Sequence, residues 1–311
     1  MPYPDRQLPQ QNEVFLDHVG YFVADLDAAG NQLERLGFQV SQINVQTNAD
    51  AAGKLTPSGT SNRLARLRRG YLEILAATHD TPLAAQFRNQ IARYQGLHLI
   101  AMAHDDIPGQ RERLMKSGFA MQSVVQLDRK DVTLPGAPRV AWQVLRPEPG
   151  VMAEGRVQFT KSLTPDVLWQ DHLVAHPNGA DALTDLMLVS NDAAEATERF
   201  ARYTDKPLRL SAALTTVELE RGRIVITSTD NAEDFLPGYK AGSLPYMAGQ
   251  AIRSRDLAHT RKTLTEAGVA PLVDKTNLIL LSPSDALGSF MLFHDASVDA
   301  PWQVLTDLKN G

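Results

Sequence analysis

One pattern recurs four times along the 311-residue chain, and it limits the fold more than any bulk property does. The segment "VFLDHVGYFVADLDAAGNQLERLGF" (14–38) opens with an apolar strand from Phe15 to Val23. Asp25 and Asp27 supply a cap-rich turn, an amphipathic helix runs through Leu33 and Leu36, Gly37 stops it, and Phe38 begins a new strand. "GLHLIAMAHDDIPGQRERLMKSGF" (96–119) repeats the order, with Asp105 and Asp106 at the cap, Pro108 in the first helical turn and Gly118 at the close. "LTDLMLVSNDAAEATERFARYTDK" (183–206) and "GQAIRSRDLAHTRKTLTEAGV" (249–269) follow the same order around Asp192 and Asp256.

Strand-like segments follow each helix: 61–77, 139–148, 210–229 and 278–293. A unit built as one strand, one helix and several strands leaves an apolar sheet face that a neighbour must cover, so the units are expected to work in pairs. The turn residues Pro177, Asn178 and Gly179 place the boundary between pairs. The expected organisation is a loose tail over 1–12, a first pair over 13–176 and a second over 177–311.

A net charge of −5 gives no general attraction to phosphate backbones or anionic lipid, so neither nucleic acid nor membrane is expected as a partner. The chain has no cysteine, which removes disulfides, thiolate ligands and cysteine nucleophiles. With no long apolar run and a polar N-terminal stretch, the expected compartment is cytoplasmic.

Because the units share a frame, they can be aligned on one another. The first strand offers His18 in "LDHV", His98 in "GLHL", Asp185 in "LTDL" and no convincing polar group in "GQAI". The last strand, three residues beyond a glycine, offers Glu73, Gln158, Val225 and Met291. The histidines, Glu73 and Gln158 thus fall in the first pair only. A carboxylate in the apolar run "YLEILAA" carries a large desolvation cost unless paired, hydrogen-bonded or bound to a cation. Two imidazoles and a carboxylate form a facial set for first-row metals, and a glutamine oxygen can complete or cap the shell. The competing account makes His18 a core histidine bonded to a backbone carbonyl. Asn62 and Arg63 can bond a polar substrate or merely cap a turn and carry surface charge. Trp142 and Phe159 can line a pocket or belong to the core. Arg66, Arg68 and Arg69 are expected on a solvated strand face.

"LDHV" with its helix and "LGF", "GTSNRLARLRRGYLEILA", and "TPDVLW" followed by "HPNGA" resemble the vicinal oxygen chelate superfamily, and within it the four-module glyoxalase-like domain proteins. The resemblance implies an α+β fold of four βαβββ modules paired into two cupped mixed sheets. It implies one divalent metal (Fe2+, Mn2+, Ni2+ or Zn2+) on His18, Glu73, His98 and Gln158, with Glu73 also able to act as a catalytic base. Relatives usually carry a carboxylate where Gln158 stands. The expected function is a metal-dependent isomerase or lyase, or a ring-cleaving dioxygenase, acting on a small oxygenated molecule; the alternative is metal-free sequestration of a small molecule. The second pair is expected to be a degenerate scaffold, and a homodimer is expected from family habit.

Overall fold

The computed structural model describes residues 5–49, 55–240 and 242–310. Unit one comprises β1 (Phe15–Phe22), α1 (Leu26–Arg35), β2 (Asn44–Ala49), β3 (Leu55–Arg66) and β4 (Tyr71–Ala77), followed by α2 (Pro82–Arg93). Unit two comprises β5 (Gly96–Ala103), α3 (Ile107–Lys116), β6 (Val125–Lys130), β7 (Arg139–Leu145) and β8 (Arg156–Ser162), followed by the short α4 (Pro165–Leu168). Unit three comprises β9 (Ala180–Ser190), α5 (Ala193–Thr204), β10 (Leu208–Leu210), β11 (Thr215–Glu218) and β12 (Arg223–Ser228), followed by α6 (Thr229–Phe235). Unit four comprises β13 (Tyr246–Ser254), α7 (Leu257–Glu266), β14 (Val273–Lys275), β15 (Leu278–Leu281) and β16 (Phe290–His294), followed by α8 (Pro301–Asn310).

The four unit helices start where the sequence places an aspartate. Asp25, Asp106, Asp192 and Asp256 each accept backbone N–H groups of the first turn, which have no partner inside the helix. In every unit the first strand pairs in parallel with the last, and the first strands of two units pair antiparallel: β1 with β5 and β9 with β13. Each pair is therefore a curved eight-stranded arrangement, open rather than closed into a barrel. The two are joined through their central strands, where Met247 of β13 pairs with Leu97 of β5. The fold is the expected α+β array of four modules in two cups.

One large core lies on the helix side and draws on all four units through Leu33, Leu114, Phe200 and Leu264. Each cup has its own smaller cluster. The expected loose tail is docked over residues 5–12. Buried Arg221 donates to the carbonyls of Arg6 (2.7 Å) and Gln7 (3.2 Å), and Asp5 pairs with Arg69. Residues 1–4 lie outside the described residues. The turn between the pairs is likewise stitched to unit one: the His176 Nδ1 accepts the Gln39 N–H at 2.9 Å and the Asn178 side chain donates to the Leu36 carbonyl. No helix among the described residues is long and apolar enough to cross a membrane.

Candidate functional site

Strand register decides which side chains enter the first cup. His18 pairs with Tyr71 and Gly20 with Glu73 across β1 and β4; in unit two, Leu99 pairs with Arg156 and Ala101 with Gln158. The antiparallel pairing agrees, since His18 opposes Ala101 and Gly20 opposes Leu99. The counterpart of His18 is therefore Leu99. Both strands bulge, and His98 is skipped in β5 as Asp17 is skipped in β1. The left-handed glycines give the same alignment: a Cβ on Gly70 would meet the Asp17 carbonyl at 2.7 Å, and one on Gly155 the His98 carbonyl at 2.4 Å.

This corrects the expected ligand set. His98 is fully buried outside the cup lining, stacked on Tyr94 at 3.9 Å and on Phe22 at 5.3 Å, with its Nε2 2.7 Å from the Tyr94 carbonyl oxygen. Burial pushes its pKa down to about 4, so the ring is neutral. His98 fits the description of a core histidine bonded to a carbonyl, the account first set against His18.

His18 enters the cup and stacks on Tyr71 at 4.2 Å. Its Nδ1 lies 2.7 Å from Asp17 Oδ2, and a carboxylate only accepts, so the Nδ1 carries a proton; in the neutral form of the ring the Nε2 then holds the lone pair. That Nε2 faces Glu73 Oε2 at 3.8 Å. Asn62 donates to the other Glu73 oxygen at 2.6 Å and fixes the carboxylate. All four side chains are buried.

Unit two contributes positive charge. Arg129, Arg146 and Arg156 line the cavity, which has a volume of about 300 Å³, beside Trp142 and Gln158. Arg129 lies over the Trp142 ring at 5.4 Å, and the Arg146 Nε donates to Gln158 Oε1 at 2.9 Å. Burial, then repulsion from Arg156, brings Arg146 down to about 9, which leaves it protonated at neutral pH. Glu73 is the carboxylate whose field reaches all three guanidiniums. The cup is thus divided, with proton-handling groups on unit one and cations on unit two.

Three other expectations change for one reason, the two-residue alternation of strands. Asn62 faces the cup, so Arg63 faces away, donating to the Ser41 carbonyl and to Glu34 of α1. Gln158 faces the cup, so Phe159 packs on Tyr203 in the helix-side core at 5.3 Å. Arg66 shares the Asn62 face and is buried, pairing with Asp131 at 3.1 Å, where a solvated residue was expected. In unit four the glycine count slips by one: Leu292 pairs with Ala251 and joins the cup cluster, whereas Met291 joins the helix-side core.

Asp17, Leu99, Arg129, Arg146 and Arg156 were not singled out from sequence. A signal existed for Leu99, Arg146 and Arg156. Arg146, one residue past the end of β7, is four residues from Trp142, and Arg156 and Gln158 are two apart on β8, so each pair is expected on one face. Counting back seven residues from the capping aspartates Asp25, Asp106 and Asp192 lands on His18, Leu99 and Asp185.

The donor set does not fit the expected divalent metal. Leu99 stands where a second imidazole is needed, Gln158 offers an oxygen that Arg146 occupies, and three guanidiniums share the cavity with Glu73. Among the described residues no three His, Asp or Glu side chains converge as ligands.

Comparison with known proteins places this geometry in a family. A hypothetical protein from Staphylococcus aureus superposes with a TM-score of 0.63 at 13% identity, covering 91% of this chain and 99% of that one. A mutant 4-hydroxymandelate synthase from Streptomyces coelicolor follows at 0.60 and 13%, covering 96% and 97%. A Mn(II)-bound glyoxalase from Novosphingobium aromaticivorans gives 0.54 and 11%, covering 95% and 86%. At these identities the likeness is one of fold. No curated protein sequence matches the chain. The family model of the glyoxalase-like domain matches residues 16–204, more than half of the chain, so the protein belongs to the glyoxalase-like domain family of the vicinal oxygen chelate superfamily.

Proposed function

We propose that the first cup is the active site of an isomerase- or lyase-type enzyme that moves a proton on a small oxygenated organic molecule. The observation that carries this is the His18 imidazole, held by Asp17 from behind and presented to Glu73 in front. The His18 Nε2 takes a proton from the carbon beside a substrate carbonyl, and the electron pair moves onto the carbonyl oxygen. The imidazolium is stabilised by Asp17 and Glu73, and the developing oxyanion by the facing guanidiniums. In an α-hydroxy carbonyl compound, the hydroxyl proton passes to the oxyanion and the abstracted proton returns to the former carbonyl carbon, so that the α-carbon becomes the carbonyl and an isomerisation is complete; where the β-carbon carries a leaving group, its departure as the carbonyl re-forms completes an elimination. Metal dependence and ring-cleaving dioxygenation, both expected from sequence, are not carried forward, because the donor set does not fit the metal.

Sequestration without chemistry is the second reading. Leu99, an apolar residue at a ligand slot, favours it.

The test is proton exchange in D2O, followed by NMR on a panel of small ketones and 2-oxo acids, with the protein first treated with chelator. Exchange is expected, and His18→Gln or Glu73→Gln should slow it by about 10²- to 10⁴-fold. Binding without exchange in the wild type would favour sequestration. One metal per chain after reconstitution with iron(II), manganese, nickel or zinc, lost in His18→Ala, would restore the metal enzyme.

A further inference from the structure

The cup does not end at its own wall. A second chamber of about 330 Å³ adjoins it, and Phe87, Arg146 and Arg156 line both spaces. Phe22, Gln90, Pro147 and Met152 give the chamber a mixed apolar and polar wall. Two of the three guanidiniums therefore stand at the junction.

Their donors are largely unused. The buried Arg129 Nε has no hydrogen-bond partner, and Arg156 makes no side-chain hydrogen bond to the protein among the described residues, while Arg146 engages Gln158 through Nε alone. Asp131, the other carboxylate on the wall, is held by Arg66 and reaches only Arg129 of the three, so two carboxylates, one of them already paired, face three cations. A guanidinium fork matches two oxygens of a carboxylate or phosphate. A neutral or cationic guest would leave these charges uncompensated.

We propose that the site takes an elongated organic anion. Its acidic group lies among Arg129, Arg146 and Arg156, its reacting end at His18 and Glu73, and its tail in the adjoining chamber. This rests on the small-molecule site proposed above.

Calorimetric titration of the full chain with phenylacetate and 4-phenylbutyrate, each against its amide, tests it. The acids should bind at least about tenfold more tightly than the amides, as expected when charge-assisted hydrogen bonds are made. Arg156→Met should remove most of that preference, and Arg156→Lys, which keeps the charge, should retain part of it. Asn89→Trp, on an exposed position of α2 at the chamber wall, should weaken the longer acid and spare the shorter. Equal binding of acids and amides overturns the proposal, as does absence of acid binding up to millimolar concentration, or an Arg156→Met protein of native circular dichroism that binds acids normally. Tight acid binding with no proton exchange on any panel compound would sink the acid–base reading and leave the anion site standing. Exchange on uncharged ketones with no preference for acids would do the reverse.

Discussion

The two cups share one architecture and have opposite interiors. In the second, α8 enters the space between the sheets, and Trp302 and Leu305 pack with Phe290, Leu292 and Val225. Its slot equivalent to His18 holds Asp185, locked in a bidentate pair with Arg223 at 2.7 and 3.1 Å. A cavity of about 140 Å³ remains. In the first cup the segment after the last strand is the short α4, which contributes Leu168 to the rim and leaves about 300 Å³ open. Where the second cup pairs its charges and fills its space, the first leaves guanidiniums facing a void. The contrast is one of charge: Asp185 and Arg223 satisfy each other in the second cup, whereas the buried Arg129 Nε of the first has no partner.

Substitutions that exchange these states should have unequal costs. Removing the plug with Trp302→Ala should cost about 3–5 kcal/mol in chemical denaturation, whereas Trp142→Ala on the open wall should cost about 1 kcal/mol. Equal losses would mean that the first cup is as structural as the second. Asp185→Ala removes the buried bidentate partner of Arg223, which keeps its contacts to Asp299, and should cost about 3 kcal/mol. Glu73→Gln keeps an acceptor for Asn62 and should stay within about 1 kcal/mol of wild type, a contrast readable as a difference in melting temperature.

Acid offers a third probe of the comparison. Burial depresses His98, beneath the first cup, and His176, at the turn between the pairs, to about 4. The unfolded chain titrates near the ordinary histidine value, so between about 6.5 and 4 it binds more protons than the folded one. Stability should therefore fall as pH drops through that window, by up to an order of 3 kcal/mol per histidine. His98→Gln should flatten the profile; an unchanged slope would show that His98 is not neutral in the fold.

Much of this was legible in the chain. The helix caps at Asp25, Asp106, Asp192 and Asp256, the fourfold pattern and its pairing follow from local chemistry, and so does the entry of His18, Glu73, Gln158, Asn62 and Trp142 into one cup. The misplacement of His98 came from matching histidine to histidine: the bulge is common to both strands, and the count back from the capping aspartates makes Asp17, not His18, the counterpart of His98. Arg63 and Phe159 were lost to alternation, whose phase depends on knowing one neighbour's direction. The plug made by α8 could not be foreseen, because an amphipathic helix does not announce which concavity it will fill.

The division of the first cup between two units has a stereochemical consequence. With cations on one wall and His18 with Glu73 on the other, an anion of the proposed kind would be held in one orientation, with a trigonal carbon presented to the imidazole by a single face. Proton delivery would then be enantioselective, and the handedness of the product would be set by a duplicated fold that has lost its two-fold symmetry at Leu99.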